Sequence, residues 1–212
     1  MEAVGARYDP GMPRLESIRD RLRAHRPALV ESPPPNALEA SVALVLHEPA
    51  GGAGPELLFI ERAVRPEDPW SGHMAFPGGR RQSDDADLAC TACRETLEEV
   101  GFEPKALLGR LDDFSGSRGP AIPHLRVAAF VFEAPERPVV VPSAEVQTAV
   151  WVPLAWILKA ESVAEHVAER SERLERFPAF RYERYLVWGL TYRILRGFLS
   201  VTGHELPSGE PR

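Results

Sequence analysis

Cysteine is nearly absent from this chain of 212 residues, which holds two, Cys90 and Cys93. Two cannot build a disulfide framework. A Cys-x-x-Cys pair can serve redox or zinc chemistry, but zinc needs further soft ligands nearby and none accompany it. The alternative is a pair of small residues on the buried side of a helix, and reduced thiols then point to a cytoplasmic setting. Long apolar runs are also missing. No stretch of about twenty apolar residues exists, so no membrane partner is expected. Met1-Glu2-Ala3-Val4-Gly5 lacks the basic-then-apolar pattern of a secretory signal. Basic charge is in short supply too, with 25 Lys and Arg against 31 Asp and Glu and a net charge of -6. That balance argues against a nucleic-acid backbone as the main partner. It leaves phosphate chemistry open, because a bound metal supplies positive charge locally.

What is present describes an ordinary globular domain, 44% hydrophobic and 26% charged, long enough for a substantial core. Residues 1–35 read as an N-terminal arm. Within it Arg14–His25 is an amphipathic helix through Leu15, Ile18 and Leu22, ended by Pro27 and followed by the extended Ser32-Pro33-Pro34-Pro35. Residues 36–202 read as the main domain and 203–212 as a disordered tail. Ala40–His47 is a buried strand, and Glu56–Arg62 follows the turn-rich Pro49–Pro55 as its hairpin partner. Leu107–Phe114 and the strongly apolar Leu125–Glu133 are two further strands. The segment between them carries Arg118, a candidate phosphate ligand, and His124, read as structural. Pro153–Ala164 reads as a short helix and Glu165–Arg176 as a charged, exposed segment. Tyr185–Leu195 leads into a C-terminal helix that Gly203 ends. No internal repeat or interdomain linker is visible.

The informative stretch is Gly78–Phe102. Asp84 or Asp85 is placed to cap a helix. Ala86, Ala89, Cys90, Cys93, Leu97 and Val100 form an apolar stripe on it, and Gly101 suits a left-handed end. Glu95, Glu98 and Glu99 are spaced i, i+3 and i+4, so they share one turn of that helix. Three carboxylates so close repel one another, and a divalent cation with oxygen ligands is the natural compensation. Upstream, Gly78-Gly79 permits a turn and lets backbone approach a metal or phosphate.

Gly79, Arg94-Glu95, Glu98-Glu99 and Gly101-Phe102 resemble the signature box of the Nudix family, hydrolases of nucleoside diphosphates linked to another moiety. Asp85 stands where the box usually has Glu, eight residues instead of seven separate it from Arg94, and Thr96 replaces a bulky aliphatic. The one-residue expansion with Asp is similar to the coenzyme A diphosphatase branch. Gly72, Ala75, Phe76, Pro77, Gly78 and Gly79 also match that branch's run before the box, with His73 and Met74 in place of Gln and Val. Trp-Val-Pro-Leu at 151–154 resembles a later segment of the family, and Trp-Gly-Leu-Thr at 188–191 is similar to the end of the coenzyme A diphosphatases.

The resemblance implies an α/β fold, a Nudix-type α/β/α sandwich with a mixed β-sheet. It also implies metal-assisted hydrolysis of a diphosphate linkage, with Mg2+ or Mn2+ on Glu95, Glu98, Glu99 and the Gly79 carbonyl. The proton acceptor is then Glu95 or Glu145, a loop glutamate whose other reading is a cap. Arg94 pairs with a carboxylate and holds it in place. Asp85 caps or orients the loop. Arg62 clamps a phosphate or forms a surface ion pair. Trp70 and His73 stack on a base or touch phosphate, or serve as core anchor and loop residue. The expected substrate is a small-molecule nucleotide, first coenzyme A or an acyl derivative, then ADP-ribose, NADH or a nucleotide sugar. A non-catalytic nucleotide sensor is the contrasting class. A homodimer is compatible with the resemblance.

Overall fold

Strand β1, Leu38–His47, alternates its side chains between two cores, and the architecture follows from that alternation. Ala43 and Val45 face one core, while Leu44 and Leu46 face the other. The structure, a computed structural model, describes residues 13–30, 37–66, 70–116, 125–170 and 173–208. Strand β7 (Leu125–Glu133) lies parallel to β1, from Leu38 opposite Leu125 to Leu46 opposite Glu133. On the other side β2 (Glu56–Arg62) and β4 (Gly78–Arg80) pair antiparallel with β1. β2 in turn pairs with β3 (Met74–Ala75) and β8 (Val146–Pro153). β5 (Ala106–Arg110) and β6 (Phe114–Gly116) pair antiparallel with β7. The result is a mixed eight-stranded sheet, in keeping with the expected fold class.

One face of the sheet packs against helix α2 (Leu88–Val100), burying Leu58, Ile60, Ala128, Phe130 and Phe132 with Ala92 and Val100. The other face is covered by α1 (Leu15–Ala24), α4 (Gly189–Val201) and a three-stranded antiparallel sheet. That second sheet consists of β9 (Val163–Arg170), β10 (Arg173–Tyr182) and β11 (Tyr185–Trp188). Short α3 (Leu154–Ile157) and a 3-10 turn at Ala160–Ser162 lead into it. His204 donates its backbone N–H back to the Leu199 carbonyl, and Leu206 packs against the same core as α4.

Several expectations need correcting. Glu165–Arg176, read as a charged exposed segment with no secondary structure assigned, contributes most of the β9–β10 pairing, whose backbone ladder runs from Arg173 opposite Arg170 to Phe180 opposite Val163. Its charges stay in water, with Arg176 donating to Glu165 at 2.7 Å, while the chain beneath is paired. The single strand expected at Leu107–Phe114 is two. Between them the Asp113 N–H turns to the Ala28 carbonyl in the N-terminal arm instead of continuing the ladder. The expected helix at Pro153–Ala164 shrinks to α3 and the 3-10 turn. Gly78 and Gly79 form no turn; they lie in β4 beside Val42 and Ser41.

Helix α2 also starts later and faces differently than its apolar pattern suggests. Asp87 is the N-cap, accepting from the Cys90 N–H at 2.8 Å. Gly101 closes the helix in the left-handed conformation, as expected. The buried residues are Leu88, Thr91, Ala92, Thr96, Glu99 and Val100, whereas Leu97 and Cys90 are exposed. Polar side chains with partners can be buried, and here each has one. Thr91 donates to Asp85, Thr96 to the Ala92 carbonyl, and Glu99 accepts from Gly78. Cys93 is half-buried and its thiol donates to the Pro104 carbonyl at 3.3 Å. Burial pushes that thiol up to about 11. Among the described residues no helix is long and apolar enough to cross a membrane.

Candidate active site

The site is built where α2 lies over β4, and its geometry starts from two glycines. A Cβ on Gly78 would collide with the Ser41 carbonyl and the Val42 backbone, so only glycine lets β4 lie this close to β1. A Cβ on Gly79 would come within 2.5 Å of both Glu95 carboxylate oxygens. Glu95 thus rests directly on bare backbone. One helical turn further along, Glu99 accepts the Gly78 N–H at 2.9 Å and is only 4% exposed. The third glutamate, Glu98, points outward with its side chain about half exposed.

Arg94 organises these groups. Its Nε and Nη2 donate to the two oxygens of Asp85, at 2.9 and 3.0 Å. Its Nη1 donates to Glu95 at 2.9 Å and Glu98 at 3.1 Å, and its Nη2 also reaches the Arg80 carbonyl at 3.0 Å. Asp85, two residues too early to cap α2, is an anchor for the loop. It accepts from the Gln82 N–H, the Thr91 hydroxyl and Arg94. The Arg94 guanidinium beside it holds its carboxyl well below the usual carboxylate range. The same pairing raises Arg94, which stays charged throughout.

The glutamates behave oppositely. Burial pushes the Glu99 carboxyl up to about 7; the neighbouring Glu95 adds to the rise, and the Gly78 N–H and the Arg62 charge oppose it. Glu95 is raised by burial as well, with Arg94 opposing. A site that makes its own carboxylates costly to ionise has high affinity for added positive charge. Among the described residues no three His, Cys, Asp or Glu side chains form a ready-made cation cage, and the Arg94 guanidinium bridges Glu95 and Glu98 in that place. The donor set still fits a hard divalent cation: three carboxylates, plus a backbone stretch whose missing Cβ leaves a cradle under Glu95.

Other expected residues surround this centre. Arg62 ends β2 opposite Val146, and both its charge and that of Glu145 act on Glu99. Glu145 is exposed, with Arg65 Nη1 3.4 Å from its carboxylate, and its carbonyl accepts the Ala63 N–H. His73 meets Arg62 through backbone, its carbonyl accepting the Arg62 N–H at 3.1 Å. Trp70 is 43% exposed, and its carbonyl accepts the His73 N–H. Arg118 and His124 lie outside the described residues. The structure therefore brings Arg94, Asp85 and the three box glutamates together, and sets Arg62 and Glu145 beside Glu99.

Two features escape sequence reasoning. Arg81, next to β4, donates to Glu39 and to the Asp85 and Ala86 carbonyls, while Glu39 also pairs with Arg126 and Arg126 with Asp113. This chain of ion pairs ties the loop before α2 to the end of the sheet. The second feature is an aromatic cluster in which His73 meets Trp188 and His166 from the second sheet. Nothing local signals either one, because the partners are far apart in sequence.

Comparison with known proteins agrees with the geometry. The NUDIX domain model matches residues 37–174. An uncharacterised protein of Schizosaccharomyces pombe is 38% identical over 133 residues, 59% of this chain but 40% of that protein, so the chain spans about two fifths of that relative's length. The uncharacterised Nudix hydrolase NudL of Salmonella paratyphi B is 31% identical over 147 residues, covering 67% of this chain and 72% of NudL. Among solved structures, the NUDIX domain of Shewanella oneidensis NrtR complexed with ADP ribose aligns at a TM-score of 0.46 and 18% identity, over 70% of this chain and 79% of that one. With a family model over most of its length and the box residues gathered around Arg94, the chain belongs to the Nudix family, a family of hydrolases acting on phosphoric anhydrides.

Proposed function

We propose that the chain hydrolyses the diphosphate linkage of a nucleoside diphosphate derivative, with coenzyme A or an acyl-coenzyme A as the substrate. The products are adenosine 3′,5′-bisphosphate and (acyl-)phosphopantetheine. The observation that carries the reading is the Arg94 clamp, which gathers Asp85, Glu95 and Glu98 while Glu99 is pressed onto β4.

Glu95, Glu98, Glu99 and the Gly79 carbonyl are the groups that would hold Mg2+ or Mn2+. Such a cation neutralises substrate phosphates and makes an attacking water more acidic. Everything else falls to side chains. Arg94 cannot be a base and serves to position Glu95 and Glu98. As the water oxygen bonds to one phosphorus, the bridging P–O bond breaks and the bridging oxygen leaves on the other phosphate. The water proton passes to a carboxylate not fully engaged as a ligand, Glu95 or Glu145. Glu145 suits that role through its exposure and its closeness to Glu99. Arg62, whose charge reaches the same carboxylate, is the residue to bind a substrate phosphate.

The coenzyme A assignment is supported by the Gly72–Gly79 run and the expanded spacing from Asp85 to Arg94. ADP-ribose, NADH or a nucleotide sugar is the second reading, favoured by His73 and Met74 where that branch carries Gln and Val. The test is product analysis with Mg2+ or Mn2+ over coenzyme A, acetyl-coenzyme A, ADP-ribose, NADH and a dinucleoside polyphosphate, beside Glu98→Gln. Release of adenosine 3′,5′-bisphosphate that disappears in the variant is the expected result. Turnover of the other substrates alone retires coenzyme A. Nucleotide binding without any turnover leaves a sensor.

A further inference from the structure

We infer that the aromatic cluster of His73, His166, Phe177 and Trp188 is a stacking platform that receives the nucleobase of the substrate. The inference rests on the reading above, that the substrate is a nucleoside diphosphate derivative, and adds where its base sits.

Three of the rings come from one face of the second sheet. His166 on β9 lies opposite Phe177 on β10, and Trp188 on β11 lies opposite Ala179, two residues along β10 and so on the same face as Phe177. The alternate residues Phe180 and Val187 turn to the other side and enter the main core. The face carrying the rings is thus the one the core does not use. Ala164 and Ala179 lie on it as buried small residues, so the large rings rise around them.

The rings are held in order by one another. His166 stacks on Trp188 with centroids 3.7 Å apart and planes 20° from parallel. His73 meets the indole edge-on at 5.0 Å, and Phe177 leans on it at 5.6 Å. All four residues remain partly exposed. A cluster built only for stability would bury its rings in the core below, as Phe59, Phe76 and Phe180 do. Here four rings ordered against one another keep part of their surface exposed, where a ligand can meet it. Flat π-faces suit a base, and ring nitrogens suit its polar edges. Burial lowers the His166 pKa, which favours the uncharged ring.

The location agrees with the chemistry. His73 joins the platform to the site, because its carbonyl accepts the Arg62 N–H while the Arg62 charge acts on Glu99. A substrate with its diphosphate at Glu95, Glu98 and Glu99 would therefore reach the stacking surface by way of Arg62 and His73. Met74, the first residue of β3, is fixed there by the Thr191 hydroxyl of α4.

Calorimetric titration of the full chain with AMP and with ribose 5-phosphate, each with Mg2+, tests the platform apart from catalysis. AMP is expected to bind at least about tenfold more tightly, with the difference abolished in Trp188→Ala, reduced in His166→Ala and largely kept in Trp188→Phe. In turnover of the best nucleotide substrate, Trp188→Ala should raise KM by about ten- to a hundredfold, with the loss concentrated in KM over kcat. The inference is overturned if both alanine variants, with unchanged circular dichroism, bind AMP like the wild type. It is equally overturned if they lose phosphopantetheine affinity instead, which would give the platform to the other half of the substrate. Should Trp188→Ala fail to fold, His166→Ala and Trp188→Phe decide by the same titrations. The two readings fail separately. AMP binding through Trp188 without hydrolysis of any substrate sinks the catalytic proposal and keeps the platform. Glu98-dependent hydrolysis indifferent to Trp188 and His166 does the reverse.

Discussion

Arg94 and Asp85 form a bidentate pair, Nε to Oδ1 at 2.9 Å and Nη2 to Oδ2 at 3.0 Å, and this pair joins the loop before α2 to the helix's carboxylate-bearing face. Asp85 is 8% exposed, and it accepts from the Gln82 N–H and the Thr91 hydroxyl as well as from Arg94. Asp85→Ala should therefore cost about 3 kcal/mol, the usual penalty for stranding one partner of a buried pair. It should also lower kcat/KM by at least about tenfold, because Arg94 no longer holds Glu95 and Glu98 in place. Arg94→Lys should fall nearly as far, since an ammonium cannot reproduce the fork. Urea denaturation read beside kinetics checks both.

The two adjacent glycines should fail in different ways. Gly78→Ala drives a methyl into the backbone of β1, which cannot yield. A loss of about 1–3 kcal/mol or failure to fold is expected. Gly79→Ala meets only the end of the Glu95 side chain. That variant should keep most of its stability and lose activity, as Glu95 is displaced from β4. Melting temperature and turnover measured side by side decide it; equal stability losses in both would remove the distinction.

The pH dependence of metal-free stability follows from Glu99. Its folded-state value of about 7 lies above the ordinary 4.5, so the folded state holds a proton that the unfolded state has lost across that window. The stabilisation is complete below about pH 4.5 and disappears as pH rises to about 7, amounting to at most about 3 kcal/mol. Glu95, raised in the same direction, adds to the slope. Glu99→Gln should flatten the profile between those values in the presence of EDTA. Mg2+ should bind more tightly as pH rises through the window, releasing protons on binding.

Asp113 should act on the arm more than on the chemistry. Its side chain is 1% exposed, and it accepts from Arg110, Arg126 and the Val30 N–H, while its own N–H reaches the Ala28 carbonyl. Asp113→Asn should destabilise by about 3 kcal/mol. Hydrogen exchange should then accelerate at Val30 before it does so in β7. Exchange that rises uniformly across the chain would show a global loss without local release of the arm.

Glu145→Gln separates the two candidate proton acceptors. If Glu145 takes the proton, kcat falls by about a hundredfold or more while Mn2+ affinity stays within a factor of two. This is the outcome expected from its exposed position beside Glu99. A small change in kcat would assign the proton to Glu95.

Much of this molecule was legible because the deciding forces act within a few residues. The Arg94-Glu95 and Glu98-Glu99 spacing places the carboxylates on one helical turn wherever the helix lies. Glu56–Arg62 and Leu125–Glu133 appear as strands at the bounds their apolar patterns suggest, since burial on both faces demands such runs. The family box, being local, was legible too.

Tertiary structure decided the remainder, through partners that sequence spacing cannot reveal. The apolar pattern of α2 pointed to Leu97 and Cys90, yet Thr91, Thr96 and Glu99 face inward because Asp85, the Ala92 carbonyl and Gly78 satisfy them. The charged run at Glu165–Arg176 became a hairpin because pairing with the opposite strand, and not hydrophobicity, satisfies its backbone. His73, His166 and Trp188 meet only when β3 is laid beside the second sheet. The sequence by itself determined the carboxylate helix and the family. The folded chain alone determined what Arg94 grips, how deeply Glu99 is buried and which rings gather around Trp188, because hydrogen bonds and burial depend on proximity in space.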